Sequence, residues 1–459
     1  MRSLRSLIKS PTAICSIWIA ACFSLTSAVW ISWEYHLLSF VDPTASDIFS
    51  MVLGYLLQAA GVLITILLSQ WTTAIQHRKL FLYSVVAFII TAIPSLLSHA
   101  KLAVILSGLL MNLLCGVIGG FYLLITAMQA DERKRSLAFG CGYGISSLVV
   151  FLLSLIGENS FLQSKTVLIV YILFAGLSVW IIWPMFDRPL AARSQKRKET
   201  TKKDLGLALL LIMLLSLVKN LGFSFPSTDI HQGVNMEFTR VFYGLGLIVA
   251  GFVNDRNRKH GAICTAAALA IPFVMLSLSG ETIPSLIFWA LGYVFFAFYS
   301  VFRVTLFMDM AAMTCIWFIA PFGLFAGRIG DALGTAICIG LSDSKTLLIV
   351  LTLCLFVVTV FLFFRFFQIL YMPEAVREKS EQEVFEGFSI QHDLSAREKE
   401  VLRLVLAEQS NTQIAETLFV SESTIKYHVH NLLQKTGCKS RQDLVKKYNL
   451  ALYPGIEDQ

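Results

Sequence analysis

Arg328 and Asp331 stand three residues apart near the middle of an apolar run centred on Phe325. That spacing places both on one face of a helix. If the run crosses a bilayer, each ion there costs about 2.5–3.5 kcal/mol on insertion scales, so the two must face a cavity or each other. One reading is an anion-reading site at Arg328, joined by Arg303 and Lys219 from other apolar runs. The other is an internal ion pair that positions helices, and the residues alone leave both open. Signals for catalysis are missing. There is no nucleophile elbow, metal-ligand cluster or nucleotide-binding glycine pattern, and Gly140, Gly142 and Gly144 in one apolar run read as helix-packing residues. No enzyme activity, cofactor or metal is expected.

A second group with chemical potential lies beyond Asp393. Apolar residues there recur at helical spacing: Val401, Leu402, Leu404 and Val405; Ile414, Ala415 and Leu418; Ile425, Val429, Leu432 and Leu433; Leu444 and Val445. Four short helices follow from that pattern. Ser395 with Glu398, and Ser410 with Gln413, have the spacing of capping boxes, and Ser421 suits a third N-cap. Only Phe419-Val420-Ser421 separates the second and third helices, so the third can lie in a major groove. With Ile425, Val429 and Leu432 turned to the core, Lys426, Tyr427 and His430 point outward, where they can reach base edges and phosphates. Between Ile425 and Lys447, six lysines and arginines, Lys435 among them, face the single acid Asp443, a basic surface suited to a phosphate backbone.

The elements that must position these residues fall into two classes. Of 459 residues, 56% are hydrophobic and 15% charged, with mean hydropathy +0.70, whereas soluble domains carry roughly a quarter charged residues. This is the composition of a polytopic membrane protein. Runs long enough to span centre near Ala21, Leu57, Ile89, Cys115, Ser147, Phe174, Met213, Leu247, Ala268, Phe295, Phe325 and Phe356, giving twelve expected spans. Arg2, Arg5 and Lys9 precede the first, which reads as an uncleaved membrane helix. Lysine and arginine cluster in alternate loops (His77 to Lys79, Arg133 to Arg135, Arg193 to Lys203, Arg256 to Lys259), which places those loops and both termini in the cytoplasm of a bacterial inner membrane. Trp30, Trp33, Tyr35, Trp180 and Trp183 near span ends read as interfacial anchors in contact with membrane lipid. The nine cysteines form no CxxC pair and read as small core residues.

Two resemblances organise this picture. The long basic loop splits the spans into halves of six, and Gly251-Phe-Val-Asn-Asp255-Arg256-Asn-Arg258-Lys259 is similar to the loop motif of the major facilitator superfamily. Its counterpart, Ile75-Gln-His-Arg78-Lys79, lacks the Asp-Arg pair. The resemblance implies two parallel halves around a central cavity. The second is carried by Leu394-Ser395-x-Arg397-Glu398, Ser410-Asn411-x-x-Ile414-Ala415, Ser421-x-x-Thr424-Ile425-Lys426-x-His428, Lys435-x-Gly437 and Arg441, which resembles the LuxR and NarL helix-turn-helix family. It implies that Thr424, Lys426, Tyr427 and His430 occupy recognition-helix positions and that the helix Ser440 to Tyr448 forms a dimer surface. Glu408 stands where that family usually has glycine, and Thr436 where it usually has leucine.

The expected fold class is therefore all-α. Residues 1–371 form a twelve-span, major-facilitator-like domain with halves at about 10–187 and 204–371; residues 372–392 form a linker, a flexible tether or a helical extension of span twelve; and residues 393–459 form the four-helix DNA-binding domain. The expected function is a one-component regulator in which the membrane domain senses a small molecule of anionic character and controls promoter DNA binding by a homodimer. A secondary transporter with an appended regulatory domain is the competing reading.

Overall fold

The computed structural model describes residues 10–71, 74–155, 165–183, 202–229, 236–270, 282–371 and 373–452. They are helical, with no strand among the described residues, and the chain divides into two compact units, Met1–Phe367 and Gln368–Gln459.

The first unit holds α1 (Pro11–Leu37), α2 (Gly54–Trp71), α3 (Ala74–Leu97), α4 (Lys101–Gln129), α5 (Arg135–Leu155), α6 (Lys165–Ile182), α7 (Lys202–Asp229), α8 (Met236–Arg256), α9 (Arg258–Ala266), α10 (Thr282–Thr314), α11 (Phe322–Gly340) and all but the last turn of α12 (Lys345–Tyr371). Eleven of the twelve expected centres lie in these helices, and Ala268 lies in the 3-10 turn Ala267–Ala270 that follows α9. Nine helices among the described residues are long and apolar enough to cross a membrane. Helix α8 is not among them and carries Glu237, Arg240, Asp255 and Arg256. Ser10 caps α1 by accepting from the Ala13 amide, with Pro11 at the first helical position. The basic residues Arg193, Lys196, Arg197 and Lys198 lie outside the described residues.

Glycines set how closely these helices approach. A Cβ on Gly140 would collide with the Leu247 carbonyl, one on Gly144 would sit 2.6 Å from the Gly244 carbonyl, and one on Gly142 would sit 2.6 Å from Ile19 Cβ. Helix α5 is thus wedged between α1 and α8, as small-residue faces allow where no hydrophobic force drives helices together. The same device recurs at α2 and α4 through Gly61 and Gly116, and at α7 and α11 through Gly330. Helices α5 with α8, and α2 with α11, are the two seams along which the halves meet. One end of the α5–α8 seam is closed by the stretch Gly251 to Lys259. Asp255 accepts from the Ser136 and Leu137 amides at the start of α5, at 3.1 and 2.7 Å, while Arg258 bridges Asp255 at 2.6 Å and Asp309 at 2.7 Å.

Trp33 departs from its expected place at the interface. It is fully buried and donates to the Val104 carbonyl at 3.0 Å, in a recess left open by Gly108 of α4. Proximity to a span end cannot report a neighbouring glycine, and the indole N–H finds its partner inside the protein.

The second unit comprises α13 (Pro373–Gln391), α14 (Ala396–Leu406), α15 (Asn411–Leu418), α16 (Glu422–Thr436) and α17 (Arg441–Leu452). Both capping boxes are formed, at Ser395 with Glu398 and Ser410 with Gln413, and Ser421 accepts from the Thr424 amide. Val401, Leu402, Val405, Ile414, Ile425 and Leu432 build the core with Leu444. The stretch read as a linker is helical, and its second half adds Phe385 and Phe388 to that core against Tyr448.

Candidate functional sites

In the first unit, eight helices surround a cavity of about 230 Å³. Helices α1, α2, α4 and α5 contribute from one half, and α7, α8, α10 and α11 from the other. All four membrane residues singled out in the sequence line it. Asp331 is 2% exposed and pairs with Lys219 Nζ at 2.9 Å, while Arg303 and Arg328 approach its other oxygen at 3.4 and 3.5 Å. The lysine contact is a good hydrogen bond and the two arginine contacts are at the limit of one. Three cations therefore share one carboxylate, a net charge of +2 in a buried site. Arg303 Nε and Arg328 Nε have no hydrogen-bond partner in the protein. Such donors are costly to leave unmade. The arrangement suits an anion better than a closed ion pair, which one acid and one base would have satisfied.

Aromatic rings make up much of the remaining wall. Phe23 stacks on Tyr143 at 3.8 Å, Tyr143 meets Tyr243 edge-on at 5.4 Å, and Trp30 lies nearly parallel to Tyr55 at 6.4 Å. Arg328 sits 4.7 Å over the Tyr55 ring and Lys219 sits 4.4 Å over Phe296, so the cationic group and the rings adjoin. Trp30, expected as an interfacial anchor, lines the cavity instead, and the other rings were not legible as site residues, because rings in apolar runs carry no spacing signal that separates lining from core.

In the second unit, α15, the turn Phe419 to Ser421 and α16 form a helix-turn-helix. Phe419 takes the left-handed conformation, φ 53°, and is 95% exposed, which turns the chain sharply enough to bring α16 across α15. Lys426, Tyr427 and His430 are exposed on α16, and Thr424 is half-buried with its hydroxyl 2.8 Å from Ser421 Oγ. Lys426 pairs with Glu422 at 2.8 Å, and that bond holds the Glu422 carboxyl below the usual range. An exposed pair of this kind is worth little and yields readily to a phosphate. Lys435 is placed differently. Its ammonium donates to Glu398 and to the Asp393 carbonyl, both at 2.8 Å, tying α16 to the start of α14. Burial pushes the Glu398 carboxyl up, but the bonds from Lys435 and Ser395 outweigh it and hold the group below its ordinary value.

Residues 392–448 match the family of bacterial regulatory proteins described as GerE, luxR family. The chain is 40% identical over 52 residues to the spore germination protein GerE of Bacillus subtilis (strain 168), covering 11% of this chain and 70% of that protein. The chain belongs to the LuxR family. It is also 43% identical over 56 residues to the CsgBAC operon transcriptional regulatory protein of Escherichia coli (strain K12), a match that spans 12% of this chain and only 26% of that regulator. What this LuxR-family chain shares with the longer regulator is the C-terminal domain, and the N-terminal unit has other likenesses. Its fold resembles a solved major facilitator transporter, FucP in the outward conformation, with TM-score 0.55 and 14% identity over 78% of this chain and 99% of that one. The chain is thus a LuxR-type DNA-binding domain joined to a major-facilitator-like membrane domain. Within it, the helix-turn-helix was readable from local spacing, whereas the capture of Lys435 by Glu398 depends on a contact 37 residues apart in sequence.

Proposed function

We propose that this protein is a one-component transcription regulator of the bacterial inner membrane, with both termini in the cytoplasm. Residues 1–371 act as the sensor and residues 393–459 as the DNA-binding domain. A small anionic molecule binds between the two halves and, by favouring one arrangement of them, alters the availability of the helix-turn-helix. Thr424, Lys426, Tyr427 and His430 read promoter DNA, and pairing through the helix Ser440 to Tyr448 doubles the contacts, as a small module needs for tight binding. The observation that carries this reading is the cavity of net charge +2 on the same chain as a LuxR-type domain. Tethering the domain to a membrane costs only loop entropy, which grows slowly with length.

Mapping chromosomal sites bound by the full-length chain in its native cells tests the proposal. Discrete promoter peaks are expected, and Lys426→Ala is expected to lower their occupancy at least tenfold at equal protein level. The cavity between the halves also suits a secondary transporter with an appended regulatory domain. That reading takes over if no peaks form with or without candidate anions and reconstituted vesicles show substrate flux.

A further inference from the structure

We infer that the cavity takes a small aromatic carboxylate, its anionic end held by Arg328, Arg303 and Lys219 and its ring seated among the aromatic side chains. This deepens the sensor reading above and rests on it only in treating the cavity as the ligand site. Three observations converge. The lining contains one acid, Asp331, against three cations, and the short bond from Lys219 already engages that acid. Arg303, 4% exposed, still presents an unpartnered Nε, as does Arg328, so two guanidinium groups have donors to give to a carboxylate. Two further buried donors on the wall, Trp30 Nε1 and Ser146 Oγ, also lack partners in the protein.

The wall decides what the anion carries. Gln58, the one carboxamide lining the cavity, is engaged with Asn112 at 2.7 Å, and the Thr26 and Tyr243 hydroxyls donate to the Cys22 carbonyl at 3.0 Å and to Ser300 Oγ at 2.9 Å, so these three polar groups are already bonded within the protein. Tyr55, Tyr143, Tyr243 and Trp30 line the same cavity with aromatic rings, Tyr55 directly against Arg328. The volume of about 230 Å³ lies under the roughly 300–1,000 Å³ typical of sites for drug-sized molecules, which fits a single ring with a short acid side chain.

Isothermal titration of the full-length chain in nanodiscs with benzoate, phenylacetate and 3-phenylpropionate tests the inference. Their amides, cyclohexylacetate and inorganic phosphate serve as comparisons. At least one aryl carboxylate is expected to bind tenfold or more tightly than its own amide, than cyclohexylacetate and than phosphate. Arg328→Gln is expected to remove most of that preference, and the gentler Ser146→Ala to weaken binding severalfold with unchanged thermal unfolding. Amides binding as well as acids, phosphate or the saturated ring binding as well as the aryl acids, or no binding by any of the three overturns the ligand class. Promoter occupancy measured with the same compounds separates the two proposals. Aryl carboxylate binding with unaltered occupancy leaves the ligand class standing and removes the regulator reading; occupancy that answers only to a non-aromatic or uncharged compound does the reverse.

Discussion

Glu408 adopts φ 59°, just past the end of α14, where its amide and that of Gln409 close the helix onto Val405 and Leu404. This left-handed position is the one at which the LuxR resemblance leads one to expect glycine. A side chain there costs about 1–2 kcal/mol in backbone strain, offset in part by the greater freedom glycine has when unfolded. Glu408→Gly is therefore expected to stabilise the C-terminal unit by roughly 0.5–1 kcal/mol. Slower hydrogen exchange across Ala396–Leu406 in the full chain would show it, and faster exchange would mean that the Glu408 side chain contributes more than its strain. Gly437, φ 69°, ends α16 by the same geometry with the residue that suits it. Thr436, in place of the family's leucine, is buried and returns its hydroxyl to the Leu432 carbonyl at 2.6 Å, so no polar atom is orphaned by the exchange.

At the scale of elements, α13 shows what composition conceals. Its five Glu residues, with Arg377 and Lys379, announce a solvated segment, yet Phe385 and Phe388, three residues apart, are buried against Tyr448, and Glu386 binds Lys399 at 2.7 Å. Six of its nineteen residues are apolar, Ala375, Val376, Val384, Phe385, Phe388 and Ile390, too few and too unevenly spread for a helical period to register. Phe388→Ala should cost about 3 kcal/mol, the lower range for deleting a buried phenyl ring. Exchange of the described amides of α13 and α17 should rise together; unchanged exchange in α17 would mean that α13 only rests on the domain. The capping boxes and the turn before α16 were readable because each depends on residues three or four apart. The membrane helices were readable because twenty apolar residues are a long signal. The role of Asp255 was not, since its partners, the Ser136 and Leu137 amides, lie more than a hundred residues away.

At the scale of the molecule, the membrane unit is two halves joined along two seams, and the cavity lies between them. Arg328 of α11 over Tyr55 of α2 places the cationic cluster directly on one seam. The other seam is latched at one end by Asp255, which caps the start of α5, by Arg258, which bridges Asp255 at 2.6 Å to Asp309 at 2.7 Å, and by Arg135, which meets Asp309 at 3.6 Å. Two carboxylates and two guanidinium groups balance there, in contrast to the unbalanced cavity. Under the proposed function, the charge-balanced latch holds one arrangement of the halves without a ligand and the net-positive cavity is completed by one, so the two sites bias one equilibrium separately. Asp255→Asn keeps the size of the side chain but removes the charge that the α5 amides and Arg258 face, and charge-assisted hydrogen bonds are roughly twice as strong as the neutral ones that would replace them. Exchange at the first amides of α5 is expected to rise by several-fold to tenfold. If the seams move as one body, accessibility at the cavity, read by the reactivity of Cys115 on its wall, should change in the same variant. A rise in α5 exchange with constant Cys115 reactivity would mean that the latch frays locally and that the halves are held apart or together by the α2–α11 seam alone.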